Sequence, residues 1–144
     1  NPGNRGEQQE EAVRQMLARQ YDQSYTTEKA INDFLGFKGK TADFLGYNSE
    51  TNQWLIAESK GTDIDKAVEQ LTNTLQNLLR RFPDANVELR IYLDREIRAS
   101  IKDGNPLYGW RLNAHDYLGF FDEATKQWQY ALIDGMKVLV QAAP

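Results

Sequence analysis

The strongest pattern in the chain is an apolar stripe at helical spacing. Ile64, Val68, Leu71, Leu75, Leu78, Leu79 and Phe82 recur every three or four residues and lay one continuous face along a helix. Thr62 or Asp63 offers a capping side chain at its start, and Pro83 closes it. A weaker stripe of Val13, Met16, Leu17, Gln20 and Tyr21 predicts a first helix over residues 6–21. At about 100° per residue, Glu10 falls on the edge of that stripe, while Glu7 and Glu11 turn toward water. Residues 26–38 carry Ile31, Phe34, Leu35 and Phe37 but are broken by Gly36 and Gly39, so the pattern fits a short helix or a loop and strand.

From Thr41 the period shortens to two. "TADFLGYN" and "QWLIAESK" read as the strands of a hairpin turning through "NSETN". "NVELRIYLD" alternates Val87, Leu89, Ile91 and Leu93 with Glu88, Arg90 and Tyr92, the pattern of a strand with one buried face. Ile97 and Ile101 predict a short helix ending at Gly104, followed by a "GNPLYGW" loop. "DYLGFFDEATKQWQYALI" reads as a second hairpin and "MKVLVQ" as a last strand. This order, a helix, two or three antiparallel strands, a helix and a strand (αβββαβ with three), predicts an α/β fold: a mixed β-sheet flanked by helices, with an additional C-terminal hairpin.

Composition narrows the function. The 144 residues fit one domain, with residues 1–6 a flexible lead. No apolar run reaches bilayer length, which argues against a membrane partner. The absence of cysteine removes disulfides and thiolate metal sites and fits a cytoplasmic setting. The opening "NPGNRG" lacks Met, so a domain cut from a larger parent protein, or delivered to a cytoplasm as part of one, is also expected. A net charge of −4 does not suit nonspecific coating of nucleic acid, yet it leaves room for an enzyme whose carboxylates bind metal.

The candidate chemistry lies at the end of the first hairpin. With Tyr47 opposite Trp54, Leu45 faces Ile56 and Asp43 faces Glu58, and Lys60 extends the same face by one step. Facing side chains are roughly 5 Å apart at Cβ, so two carboxylates there repel unless a cation joins them. Magnesium accepts one or two protein carboxylates and keeps several waters. A neighbouring ammonium can hold a water and oppose charge developing on a phosphoryl oxygen.

Asp43 followed on the return strand by Glu58-Ser59-Lys60 resembles the signature of the PD-(D/E)XK nuclease superfamily, the restriction-endonuclease-like fold. The order of helix, hairpin, helix and strand from Gly6 to Leu93 is similar to that family's core. The resemblance implies a metal-dependent endonuclease that hydrolyses phosphodiester bonds, with DNA the favoured substrate. It implies Mg²⁺ (or Mn²⁺) held by Asp43, Glu58 and the Ser59 carbonyl, with Lys60 positioning the attacking water. Gly6-x-x-x-Glu10 resembles the first-helix pattern of Holliday-junction resolvases in this superfamily, which adds Glu10 to the catalytic set. Two features depart from the pattern: Ala42 stands where the signature has proline, and Gln70, the match to a glutamine some members carry, lies off the apolar stripe. A homodimer fits the resemblance too, since one site cuts one strand at a time.

Other residues are weaker candidates. Lys38 and Lys40, just before Asp43, are placed to meet a nucleic-acid backbone, as is Arg111, which with Tyr108 and Trp110 could form a stacking loop. His115, the sole histidine, fits a surface role. "GFKGKT" before Asp43 ends in "GKT" but is not read as a phosphate loop, because it lacks the first glycine at the required spacing and precedes a strand. The second hairpin echoes the first: with Trp128 aligned on Trp54, Leu132 replaces Glu58 and Asp134 replaces Lys60. A non-catalytic interaction or nucleic-acid-binding module on the same fold is the alternative.

Overall fold

The computed structural model describes residues 4–144. Of the lead expected over residues 1–6, the first three lie outside the described residues. Asn4 caps helix α1 (Arg5–Ala18), accepting the Glu7 N–H at 2.8 Å. A short strand β1 (Gln23–Tyr25) follows. The ambiguous segment then forms helix α2 (Glu28–Leu35), capped by Thr27 and ended by Gly36 at φ 73°. That left-handed turn is open to glycine without the usual Cβ clash, which is why the helix stops there.

The expected hairpin is β2 (Phe44–Asn48) and β3 (Gln53–Lys60), with Tyr47 opposite Trp54 and Leu45 opposite Ile56. Asp63 caps α3 (Ile64–Arg81), whose Ile64, Leu71, Leu75 and Leu78 are buried. The chain then crosses to β4 (Asn86–Leu93), which runs parallel to β3. Next come α4 (Arg95–Lys102), β5 (Trp110–Leu112), β6 (Leu118–Asp122), β7 (Gln127–Tyr130), β8 (Leu132–Ile133) and β9 (Met136–Ala142).

The main sheet is mixed and six-stranded, in the order β1-β2-β3-β4-β9-β8, and β9 runs parallel to β4. The fold is therefore α/β with helices on both faces of a mixed sheet. On the α3 side, Leu45, Trp54, Ile56, Leu89 and Ile91 pack with the apolar face of α3. On the α1 side, Phe44, Leu55, Ala57 and Tyr92 pack with Val13 and Leu17. This corrects the expectation of one buried face for β4. Leu89, Ile91 and Leu93 are covered on one side and Tyr92 on the other, because the strand is central and parallel to both neighbours. Its half-buried Glu88 and Arg90 are retained by pairing with each other, and Arg90 also donates to the Tyr92 hydroxyl at 3.0 Å.

The second hairpin belongs to a separate three-stranded sheet, β5-β6-β7. It joins the main body through a Tyr117–Leu139 bridge and through Asp116, which pairs with Arg98 at 3.0 Å and with Lys102 of α4. Among the described residues, no helix is long and apolar enough to cross a membrane.

Candidate active site

The regular ladder of the first hairpin ends at Phe44 and Ala57, and one step further the side chains take over. The Asp43 N–H donates to Glu58 Oε1 at 2.9 Å, and the Ser59 N–H donates to Asp43 Oδ2 at 2.8 Å. Each carboxyl thus fixes the other strand's backbone. The expected pairing of Asp43 with Glu58 is present, but as this reciprocal clamp rather than as a backbone bridge. Lys60 Nζ lies 3.4 Å from Glu58 Oε2, on the side facing solvent.

Helix α1 supplies the rest. Val13 and Leu17 bury its apolar stripe against the sheet, which brings the next row of side chains to the end of β3. Arg14 donates to Asp43 Oδ1 at 3.0 Å and to the Asp43 carbonyl at 3.2 Å, and lies 3.8 Å from Glu10. Gln9 donates to Ser59 Oγ at 2.9 Å and to the Lys60 carbonyl at 3.0 Å. Arg14 and Gln9 were not among the residues picked from sequence. The signal for Arg14 was its spacing of one turn from Glu10, the ordinary geometry of a helical ion pair.

The electrostatics are unbalanced. Glu58 is 1% exposed. Burial, then the hydrogen bond and charge of Asp43, pushes its carboxyl up to about 9, with Lys60 pulling it only part of the way back. Glu10 is also raised, first by burial and then by Asp43, against the pull of Arg14 and Lys60. Glu10, Asp43 and Glu58 thus share two cations, Arg14 and Lys60, and the raised carboxyl of Glu58 favours its protonated form. Each oxygen of the Asp43–Glu58 pair has a donor beside it: Arg14 and the Ser59 N–H at Asp43, the Asp43 N–H and Lys60 at Glu58. Among the described residues, no group of three or more His, Asp or Glu side chains is arranged to hold a metal ion. The donor set is two carboxylates, the number magnesium takes when it keeps most of its waters.

A cleft of about 420 Å³ opens beside this cluster. Gln9, Glu10, Ser59 and Lys60 line one wall, and Asp94 with Ile97 from the first turn of α4 lines the other. Asp43 and Glu58 are not among the cleft's lining residues, and the charged groups on it are Arg5, Glu10, Lys60, Asp94 and Glu96.

The structure therefore brings Glu10, Asp43, Glu58, Ser59 and Lys60 together. It does not bring the three expected backbone contacts to them. Lys38 and Lys40 stand exposed on the loop before β2, and Lys38 borders a separate hollow with Glu28 and Asp33 of α2. Arg111 lies on β5, with its guanidinium 5.6 Å from the centre of the Phe121 ring. Tyr108 is exposed, whereas Trp110 packs against the core, so the two do not form one stacking loop. Gln70 is half-buried and offers its carbonyl to Thr74. His115 is exposed. No protein family model, curated protein or solved structure matches the chain.

Proposed function

We propose that the chain is a metal-dependent nuclease that hydrolyses phosphodiester bonds of DNA on a restriction-endonuclease-like core. One observation carries this reading. Asp43 and Glu58 are held together by each other's backbone in a site short of positive charge, with Lys60 beside them at the mouth of a cleft.

In this reading Asp43, Glu58 and the Ser59 carbonyl hold Mg²⁺ or Mn²⁺. The bound ion supplies charge stabilisation at the phosphate and a lowered pKa for the attacking water. Lys60 donates a hydrogen bond to that water and sets its line of approach, and its charge opposes the negative charge gathering on the phosphoryl oxygens. Gln9 fixes the Lys60 backbone, so the ammonium is aimed by a strand end tied to α1. Glu10 adds a carboxyl to the cleft wall, within the field of Asp43.

Incubation with DNA and RNA in Mg²⁺, Mn²⁺ or chelator tests the reading. Metal-dependent DNA cleavage that is lost in Lys60→Ala is the expected result. Cleavage that persists in chelator, or is unchanged in that variant, overturns the mechanism.

The Arg14 guanidinium favours a second reading. It already gives Asp43 a cationic partner at 3.0 Å, as a non-catalytic module that binds nucleic acid or a protein would need. That reading expects no cleavage, no bound metal, and binding that is insensitive to Asp43→Ala.

A further inference from the structure

The second sheet has two unlike faces. Its register sets Arg111 opposite Gly119, Gly119 opposite Tyr130, and Phe121 opposite Trp128. Alternation then places Arg111, Phe121, Trp128 and Tyr130 on one face, and Trp110, Leu112, Leu118 and Phe120 on the other. The inner part of the second face meets the core: Leu118 is fully buried, and Trp110 and Leu112 pack beside it, while Phe120 further out is exposed. On the first face, Phe121, Trp128 and Tyr130 are not among the apolar residues packed against either core, and all three are at least partly exposed.

This aromatic face is built with care for ring placement. A Cβ on Gly119 would stand 2.2 Å from Trp128 Cζ2, so the missing side chain is what lets the indole lie against the sheet. Tyr130 stands edge-on to it, with ring centres 4.5 Å apart. Two cations cover rings at the margins: Lys137 Nζ lies 4.3 Å from the Tyr130 centroid, and Arg111 lies over Phe121. Among the described residues neither Arg111 nor Lys137 has a carboxylate partner. Asp122 and Gln129 bond each other on the opposite face, and Glu123 pairs with Lys126 in the turn.

We infer that this face is a docking platform for an unpaired segment of single-stranded DNA, with bases stacking on Phe121, Trp128 and Tyr130 and phosphates meeting Arg111 and Lys137. Partly exposed rings beside cations that have no carboxylate partner suit a single strand, because every base has a π-face and every linkage a charge. A duplex offers the charges but not the open π-faces, since its bases are already stacked on one another. Helix α4 links platform and cleft. Its first turn lines the cleft, and Arg98 and Lys102 toward its end hold Asp116 at the root of the second sheet. Eight residues of helix span about 12 Å, so one strand can engage both. The inference rests on the nuclease reading for its ligand class.

Binding of a labelled oligo-dT strand, measured by fluorescence anisotropy in chelator, tests the platform without cleavage. Tyr130→Leu and Phe121→Leu are each expected to weaken binding about tenfold, with circular dichroism unchanged. Arg111→Gln and Lys137→Gln are expected each to lower the salt slope by about 0.7. Equal affinity for an abasic strand, tighter binding of duplex or of oligo-U, or no effect of Tyr130→Leu together with Phe121→Leu overturns the inference. Intact binding in a protein that cuts nothing in Mg²⁺ would refute the nuclease reading and leave the platform standing.

Discussion

The two hairpins of this chain are built alike and end differently. In the first, Asn48 accepts the N–H groups of Glu50 and Thr51, and Asn52 takes a left-handed φ of 56° before β3 begins. In the second, Asp122 accepts from Ala124 and Thr125, and Lys126 takes φ 59° before β7 begins. Tyr47 faces Trp54 in one, and Phe121 faces Trp128 in the other. The same strand, Asx turn and return strand has been used twice.

What surrounds them differs. Helices α1 and α3 cover both faces of the first hairpin, and β4 lies along β3. Among the described residues, Trp128 and Tyr130, which take the places of Trp54 and Ile56 in the second, pack against neither core. In the first hairpin the strand runs on under cover, so Glu58 is buried and its charge becomes costly. In the second, β7 stops at Tyr130, and Leu132, in the place of Glu58, is 57% exposed. A buried carboxylate is thus a consequence of covering the strand end, and a specialised one, since the same scaffold closes without it.

Four outcomes would sharpen or break this comparison. Trp54→Ala should lower stability by about 3–5 kcal/mol, because its ring is buried among Phe34, Tyr47 and Phe82. Trp128→Ala should cost only about 1 kcal/mol; chemical denaturation that finds equal losses would show that the two faces are not differently covered. Next, Lys60→Ala should reduce the rate of DNA cleavage about 100-fold or more while the thermal midpoint stays near that of the parent.

The third outcome concerns pH. The folded-state value for Glu58, about 9, lies above its ordinary 4.5. The metal-free fold therefore has this group's full stabilisation below the lower value and loses it as pH rises through the higher one. Unfolding free energy in chelator should fall across that window by at most about 1.4 kcal/mol per pH unit. In Glu58→Gln this contribution should vanish, and an unchanged slope would mean that Glu58 is ionised in the fold. Last and smallest, Leu132→Glu should shift stability by no more than about 0.5 kcal/mol, since the carboxylate enters water.

Sequence alone revealed what is local. The register around Tyr47 and Trp54, helix α3 with its cap at Thr62 or Asp63, and the approach of Asp43, Glu58 and Lys60 all follow from short-range patterns. The placement of β9 beside β4 did not, because a parallel partner distant in sequence leaves no periodic trace. Arg14 and Gln9 were missed for a related reason: only the docking of α1 over the end of β3 brings them to Asp43 and Ser59. The "LG" shared by both hairpins also misleads. The observed register sets Gly119, not Leu118, in the place of Leu45, and a one-residue slip turns every side chain to the other face.

The central claim is that the end of β3 takes up a divalent cation in exchange for the proton on Glu58. Calorimetric titration of Mg²⁺ into the protein, in two buffers of different ionisation enthalpy near neutral pH, tests it most directly. Binding should release close to one proton per ion, and Glu58→Gln should abolish that release. Absence of Mg²⁺ binding, or binding with no proton released, would contradict the account and leave Asp43 and Glu58 as a clamp that only joins two strands.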